Sequence, residues 1–160
     1  MKILGVDPGV ISTGYGLIQH DAYGNKLLEV GTINPKADDY IYRRIFKVYK
    51  NLNDIVTQYK PDVMVLEKIY SHHRHPMSAH LLGHVRGVIC LLSVQKNIKL
   101  EERSVKRIRK SITGNGGATK EQTKRMVAHI LDIKADKLSN DASDALALAL
   151  GYTRIKSKVQ

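Results

Sequence analysis

Four acidic residues in this 160-residue chain have spacings that could serve one hydrolytic site. Two short apolar segments each end in an acid, at Asp7 and at Glu67. An alanine-rich segment opens with Asp141 and Asp144, and this i, i+3 spacing puts both carboxylates on one face of a helix, near its N-terminus. Carboxylates are the ligands that Mg²⁺ prefers, and four of them suit two ions about 3.5–4 Å apart at a phosphodiester. The pattern therefore predicts a two-metal hydrolytic centre.

Each acid also has a simpler structural interpretation. Asp7 precedes Pro8-Gly9 and could start a turn, while Asp141 and Asp144 could offset the dipole of their helix. Glu67 could form a surface ion pair. The joint pattern favours the metal site, because the chain has only 15 acids and yet places two of them at strand ends and two more as a pair on one helix.

The elements that must position these acids are predicted from hydrophobic periodicity. Three strands at 2–7, 13–19 and 27–33 form an antiparallel meander, because turn residues separate them. Two further strands are predicted at 63–67 and 98–102, and helices at 41–56, 76–92, 119–131 and 140–155. Adjacent parallel strands end about 5 Å apart, so a helix beside them can bring its first turn to the same place.

The charge balance indicates the kind of partner. The chain has 26 Lys and Arg against 15 Asp and Glu, a formal charge of +11, which points first to nucleic acid and second to an anionic membrane surface. A hydrophobic content of 42% is enough to form a core, which excludes a chain that is disordered throughout like a basic histone tail. The lone cysteine, Cys90, lies in an apolar run and is expected to be a buried thiol. With no run of about 18 apolar residues, the sequence predicts a cytoplasmic protein without a membrane span.

Five ordered motifs extend over residues 3 to about 150 and together resemble the RuvC family of bacterial Holliday-junction resolvases. They are Ile3-Leu4-Gly5-Val6-Asp7-Pro8-Gly9 with Thr13-Gly14-Tyr15-Gly16, the strand end Leu66-Glu67-Lys68-Ile69-Tyr70, the run Gly83-His84-Val85-Arg86-Gly87-Val88, the glycine-rich segment 112–122 and the run Asn140-Asp141-Ala142-Ser143-Asp144-Ala145-Leu146-Ala147. Any one motif is weak evidence, whereas five in order are strong.

The resemblance implies an α/β, ribonuclease-H-like fold with a central mixed five-stranded sheet, three antiparallel N-terminal strands plus two more, flanked by helices. It implies a single nuclease domain at 1–155, followed by a disordered basic tail at 156–160. The expected activity is metal-dependent cutting of four-way DNA junctions by a homodimer in recombination and repair. Mg²⁺, or Mn²⁺ in its place, is the expected cofactor at two ions per site, and the RuvA–RuvB branch-migration complex is an expected partner.

The resemblance also implies roles for individual residues. The family's catalytic acids match Asp7, Glu67, Asp141 and Asp144, and a functional lysine of its glycine-rich segment matches Lys120. A second family lysine falls on Arg109, which keeps the charge but puts in doubt any role that needs a deprotonatable amine.

Several further residues are predicted to contact DNA. Tyr70 could stack on an unpaired base, and the glycines at 114–117 could bring backbone amides near a phosphate. The full set of predicted contacts is Tyr70, Arg74, Lys106, Arg107, Arg109, Lys110, Gly114, Gly116 and Lys120. A core tyrosine and a solvated basic helix face are the alternatives.

The histidines at 72–84 and the apolar helix at 76–92 each have more than one structural interpretation. The histidines of the loop 72–75 are expected to face phosphate or solvent, because no cysteine accompanies them as in a zinc site. His80 and His84 have a spacing that can hold a metal, but no third ligand is evident, so they are expected to face solvent or a partner subunit. The helix at 76–92 is the predicted dimer interface, with a wholly buried monomer helix as the alternative.

Three other functions compete with a junction resolvase. A nuclease of the same fold could act on a different structured nucleic acid, and a non-enzymatic protein could bind junctions without cutting them. An actin-like phosphotransferase would use Asp7 and Gly9 with Thr13-Gly14 as a phosphate loop, but that fold needs a second such domain and 160 residues leave no room for it.

Overall fold

The computed structural model describes residues 1–68 and 76–156. This part of the chain forms five strands and five helices. They are β1 (Lys2–Asp7), β2 (Thr13–Asp21), β3 (Gly24–Ile33), α1 (Ile41–Tyr59), β4 (Val63–Glu67), α2 (Pro76–Gln95), β5 (Lys99–Arg103), α3 (Val105–Thr113), α4 (Lys120–Ile130) and α5 (Asn140–Lys156), with a single 3-10 turn at Ala135–Lys137. The predicted elements are all confirmed. The basic segment after β5 forms α3, and the tail residues 157–160 lie outside the described residues.

The strands form one mixed sheet in the order β3-β2-β1-β4-β5. β1, β2 and β3 pair antiparallel, while β4 pairs parallel with both β1 and β5. This arrangement confirms the predicted sheet of three antiparallel strands plus two more. Since β4 is central and buried on both faces, its apolar residues need no polar alternation.

Two hydrophobic cores lie on opposite faces of the sheet. One face packs against α1 and α2 through buried side chains that include Val48, Leu52 and Ile89. The other face packs against α3, α4 and α5, with Ile108 and Leu146 among its buried residues. Side chains along β1 alternate between the two cores: Leu4 and Val6 point to the first core, and Ile3 points to the second.

Helix α2 buries only one side. Val85, Ile89 and Leu92 face the core, whereas Leu91 is 52% and Val94 77% exposed. The alternative of a wholly buried helix is therefore wrong for the single chain. Met77–Gln95 is long and apolar enough to cross a membrane by length and composition alone, a criterion that core helices of water-soluble proteins also meet.

The lone thiol differs from its prediction. Cys90 is only partly buried and packs at the margin of the first core, because it follows Ile89 on the helix and turns away from the buried stripe.

Candidate active site

The ends of two neighbouring strands bring the first two acids together. β1 and β4 run parallel with Val6 beside Leu66, and Asp7 and Glu67 are the residues that follow. On the other side of β1, Asp7 pairs with Gly14 of β2. The carboxyl ends of the two parallel strands therefore place both acids at one edge of the sheet, as the sequence predicts.

Glycines in the sheet let α5 come close enough to add the other two acids. A Cβ built on Gly5 would lie 1.9 Å from the backbone oxygen of Ala145, and one on Gly14 would lie 2.1 Å from the backbone oxygen of Asp141. Neither distance is possible for a real side chain, so only glycine fits at these two positions. The first turn of α5, with Asp141 and Asp144, is held directly over the end of β1 as a result.

The turn after Asp7 is fixed by its own hydrogen bonds. Thr13 Oγ1 donates to Gly9 O over 2.9 Å and accepts from Gly9 N over 3.3 Å. The guanidinium of Arg44 on α1 donates to the backbone oxygen of Val10. These contacts hold the segment between β1 and β2 in place, so Asp7 sits on a rigid strand end.

Lys120 reaches the site from the start of α4. Gly114 ends α3 in the left-handed conformation at a φ of 80°, and a capping box between Thr119 and Gln122 then starts α4. The first residue of that helix is Lys120, whose Nζ lies 2.7 Å from Asp144 Oδ2. A lysine chosen from a motif is thus in direct contact with one of the four acids.

The acids interact electrostatically. Burial raises the pKa of Asp7 from 3.8 to about 7, and repulsion from Asp144, Glu67 and Asp141 adds to the effect. Burial and the charge of Asp144 also raise the pKa of Glu67. Its hydrogen bond to Asp144 raises the pKa of the Lys120 amine, so this group is an ammonium near neutral pH. The four carboxylates form one cluster of negative charge, which Lys120 and the nearby arginines only partly neutralise.

This cluster predicts a stability change with pH in metal-free protein. The pKa of Asp7 is higher in the folded protein than in the unfolded chain, so ionisation of this group costs folding stability. The cost is absent below about pH 4, rises between about pH 4 and pH 7, and is constant above pH 7. We expect Asp7→Asn to raise the free energy of unfolding at pH 8 by at most about 4 kcal/mol, and by much less at pH 4.5. Denaturant unfolding in EDTA at both values measures this.

The matched control is Asp54→Asn, which changes an exposed carboxylate on α1. It should shift stability little and equally at both pH values. A gain from Asp7→Asn that is as large at pH 4.5 as at pH 8 would contradict the proposed charge repulsion.

The donor set fits a hard divalent cation. Four carboxylates without a thiol or imidazole are the ligands that such cations select. Within residues 1–68 and 76–156, no three acidic, histidine or cysteine side chains already surround one point at ligand distance. The ion pair of Asp144 with Lys120 is consistent with this, because that carboxylate is turned to the amine. We expect small side-chain rotations to close the site around a cation.

Two arginines near Glu67 were not assigned to the site by its acid pattern. Arg86 on α2 donates from Nη1 to the backbone oxygen of Glu67 over 2.7 Å, and its Nη2 pairs with Glu102 of β5. Arg109, predicted as a DNA contact, lies near enough to lower the pKa of Glu67. It lines a pocket with Glu67, Lys120 and Asp144. The motif containing Arg86 is visible in the sequence, but its contact with Glu67 depends on the packing of α2.

The other predicted DNA contacts are distributed around this pocket. Lys106, Arg107 and Lys110 are exposed on α3. Gly116 packs beside Lys106, where an added Cβ would lie 3.0 Å from Cγ. Gly114 donates its amide to Lys110 O, so it does not offer that group to a phosphate. Tyr70, Arg74 and the loop 72–75 lie outside the described residues.

Comparisons with known proteins agree with this geometry. A family model described as "Crossover junction endodeoxyribonuclease RuvC" matches residues 3–152. The chain is 39% identical to the protein of that name from Chloroherpeton thalassium, over 94% of this chain and 80% of the relative. It is 34% identical to the one from Rhodopirellula baltica, over 92% of this chain and 83% of the relative.

Solved structures show the same fold. The Thermus thermophilus RuvC structure superposes with a TM-score of 0.90 at 20% identity, covering 99% of this chain and 97% of that one. The same organism's RuvC in complex with Holliday junction substrate gives a TM-score of 0.88 at 17% identity, with 99% and 96% covered. The expected ribonuclease-H-like fold is confirmed.

Proposed function

Because the chain belongs to the RuvC family of crossover junction endodeoxyribonucleases, we propose that it resolves Holliday junctions by paired symmetric nicks in recombination and repair. The observation that carries this proposal is the cluster of Asp7, Glu67, Asp141 and Asp144 at one sheet edge, beside Lys120. The family is metal-dependent, and this cluster supplies the carboxylates that such chemistry needs.

In this proposal the four acids hold Mg²⁺, or Mn²⁺ in its place, at two ions per site. When bound, these ions supply Lewis acidity and a water of lowered pKa for in-line attack on a phosphodiester. Two of these carboxylates lie at rigid strand ends and two lie on α5, so the elements of the fold fix the positions of the ligands. Arg86 donates a hydrogen bond to the main chain of Glu67, which keeps the end of β4 in place during the reaction.

Lys120 is proposed to stabilise charge that develops on the scissile phosphate. The raised pKa of its amine favours this role over that of a proton acceptor, because the group remains an ammonium. Arg109 beside it keeps a permanent positive charge at the same pocket.

Removal of the Lys120 charge tests this role. We expect Lys120→Gln to slow cleavage about 100-fold or more while junction affinity changes by less than about threefold. Single-turnover cleavage with saturating enzyme and a mobility-shift titration measure the two effects. Lys134→Gln, an equal loss of charge at an exposed residue before the 3-10 turn, should leave the cleavage rate unchanged. Equal effects of the two variants would show that only net charge matters.

DNA binding is proposed to use the basic side chains around the pocket. Lys106, Arg107, Arg109 and Lys110 on α3 would contact phosphates of a duplex arm, since such contacts give affinity without sequence preference. The other predicted contacts were Tyr70, Arg74, Gly114, Gly116 and Lys120. For Gly114 the proposal is now limited to shaping the turn, because its amide is already used.

The assembly is proposed to be a homodimer through the exposed side of α2. Exposed Leu91 and Val94 on that side would be covered by the second copy. A two-fold dimer carries two sites, which gives symmetric nicks on two strands of like polarity. We also propose a single nuclease domain at 1–155 with a short tail, action in the cytoplasm and cooperation with the RuvA–RuvB branch-migration complex.

One experiment separates this function from its rivals. Synthetic four-way junctions, flaps and RNA–DNA hybrids are incubated with the protein, with and without Mg²⁺, and the strands are resolved on a denaturing gel. Paired symmetric nicks in the junction alone support a resolvase. Cutting of another substrate supports a different nuclease of this fold, and binding without cutting supports a non-enzymatic junction protein.

A further inference from the structure

The exposed side of α2 carries two histidines one helical turn apart. His80 and His84 are both exposed, and their Nε2 atoms lie 3.2 Å apart. The two rings meet edge to face at 81° with centroids 4.6 Å apart. Both nitrogens that could bind a ligand therefore lie side by side on the surface.

This separation fits two ligands of one metal ion. Imidazole nitrogens about 2.0–2.1 Å from Zn²⁺, at angles between those of an octahedron and a tetrahedron, lie roughly 2.9–3.4 Å from one another. A hydrogen bond between two imidazoles on a wet surface adds little net stability, because water competes for both groups. Imidazole pairs suit Zn²⁺, Ni²⁺ and Cu²⁺ rather than the hard cations expected at the carboxylate cluster.

Two ligands do not complete a structural zinc site, which has four. The described residues bring no third acid, histidine or cysteine to this pair. Gly83 and Gly87 lie on either side of His84, and a Cβ on either would meet no heavy atom within 4 Å. This open surface lets a second helix approach closely, and in a two-fold dimer that helix brings the same two histidines.

We propose that His80 and His84 form half of a zinc site that the same pair of a second copy completes across α2. The ion would link two chains at four imidazole nitrogens and stabilise the dimer. This inference rests on the proposed dimer through α2, but it is independent of the nuclease chemistry, which uses different residues and a different class of metal.

The test measures Zn²⁺ binding and dimer stability together. Because His72, His73 and His75 could also bind Zn²⁺, every protein carries glutamine at these three positions, and millimolar Mg²⁺ is present to occupy the carboxylates. Isothermal titration with ZnCl₂ and light scattering during dilution compare this background with His80→Ala and His84→Ala. His129→Ala, an exposed histidine on α4, is the matched control.

We expect one tightly bound Zn²⁺ per two chains and a dimer dissociation constant at least about tenfold lower with Zn²⁺. Both effects should be lost in His80→Ala and His84→Ala and kept in His129→Ala. Unchanged Zn²⁺ binding in the two α2 variants would overturn the site. One Zn²⁺ per chain without an effect on the dimer would overturn its completion by a second copy. Junction cleavage in Mg²⁺ is assayed separately, so failure of the zinc site and failure of the resolvase proposal give different results.

Discussion

Asp7→Asn should abolish junction cleavage while the protein still binds the junction. Asparagine keeps the size of the side chain but removes the charge of the acid that lies among the other three. We expect the single-turnover cleavage rate to fall at least about 1,000-fold, because the site loses both a metal ligand and the charge that balances the ion. The basic side chains of α3 are untouched, so affinity should change less than about threefold.

The comparison needs a variant with the same chemical change elsewhere. Asp54→Asn removes one negative charge from the exposed side of α1 and should leave both cleavage and binding as they are. Cleavage by Asp7→Asn at the rate of Asp54→Asn would show that the carboxylate cluster is not the catalytic centre. Loss of junction binding in Asp7→Asn alone would mean that this acid shapes the DNA surface.

The fold could be predicted in detail because its signals are local. β1 and β4 are uninterrupted apolar runs that end at an acid, and α1 repeats its apolar residues at helical spacing. The start of α4 also depends on neighbouring residues alone, because Thr119 and Gln122 form a capping box there. For α2 the sequence left two alternatives open, a dimer interface with an exposed side and a wholly buried helix. Its apolar residues occur on several faces, and only packing shows that Leu91 and Val94 lack a partner within the described chain.

The candidate site was predictable to the extent that it depends on chain position. Strand ends and helix starts identified the acids, and a family motif identified Lys120. The contact of Arg86 with Glu67 could not be inferred, because it joins a helix to a strand end through a long side chain. The raised pKa of Asp7 also depends on tertiary structure, since it arises from burial and from three acids that are distant in sequence.

The charge of the chain has two separate consequences at this site. A surplus of eleven positive charges draws the protein to DNA, but four of the fifteen acids lie together where they repel one another. We therefore expect Asp7 to destabilise the metal-free fold near neutral pH, because a functional site that holds like charges in place costs stability. A bound cation would relieve this repulsion, which couples folding to the cofactor.

Gly5→Ala should destabilise the protein by at least about 3 kcal/mol, although alanine in a strand is ordinarily more stable than glycine by about 0.5–1 kcal/mol. The new Cβ would lie 1.9 Å from the backbone oxygen of Ala145, so α5 must move away from β1. Neither atom belongs to a flexible side chain that could give way. Denaturant unfolding measures the change, and Gly117→Ala is the control, because its Cβ meets only Asn115 Oδ1 at 3.4 Å.

The same substitution tests whether the sheet glycines position the site. Displacement of α5 moves Asp141 and Asp144 away from Asp7. In protein that stays folded, the cleavage rate should therefore fall much more than the affinity for the junction. Assays are run at low temperature with an uncharged osmolyte that stabilises the fold, and circular dichroism confirms the folded fraction under these conditions. A Gly5→Ala protein that is as stable and as active as the unsubstituted protein would show that α5 does not need this close approach, and that the acids reach one another in another way.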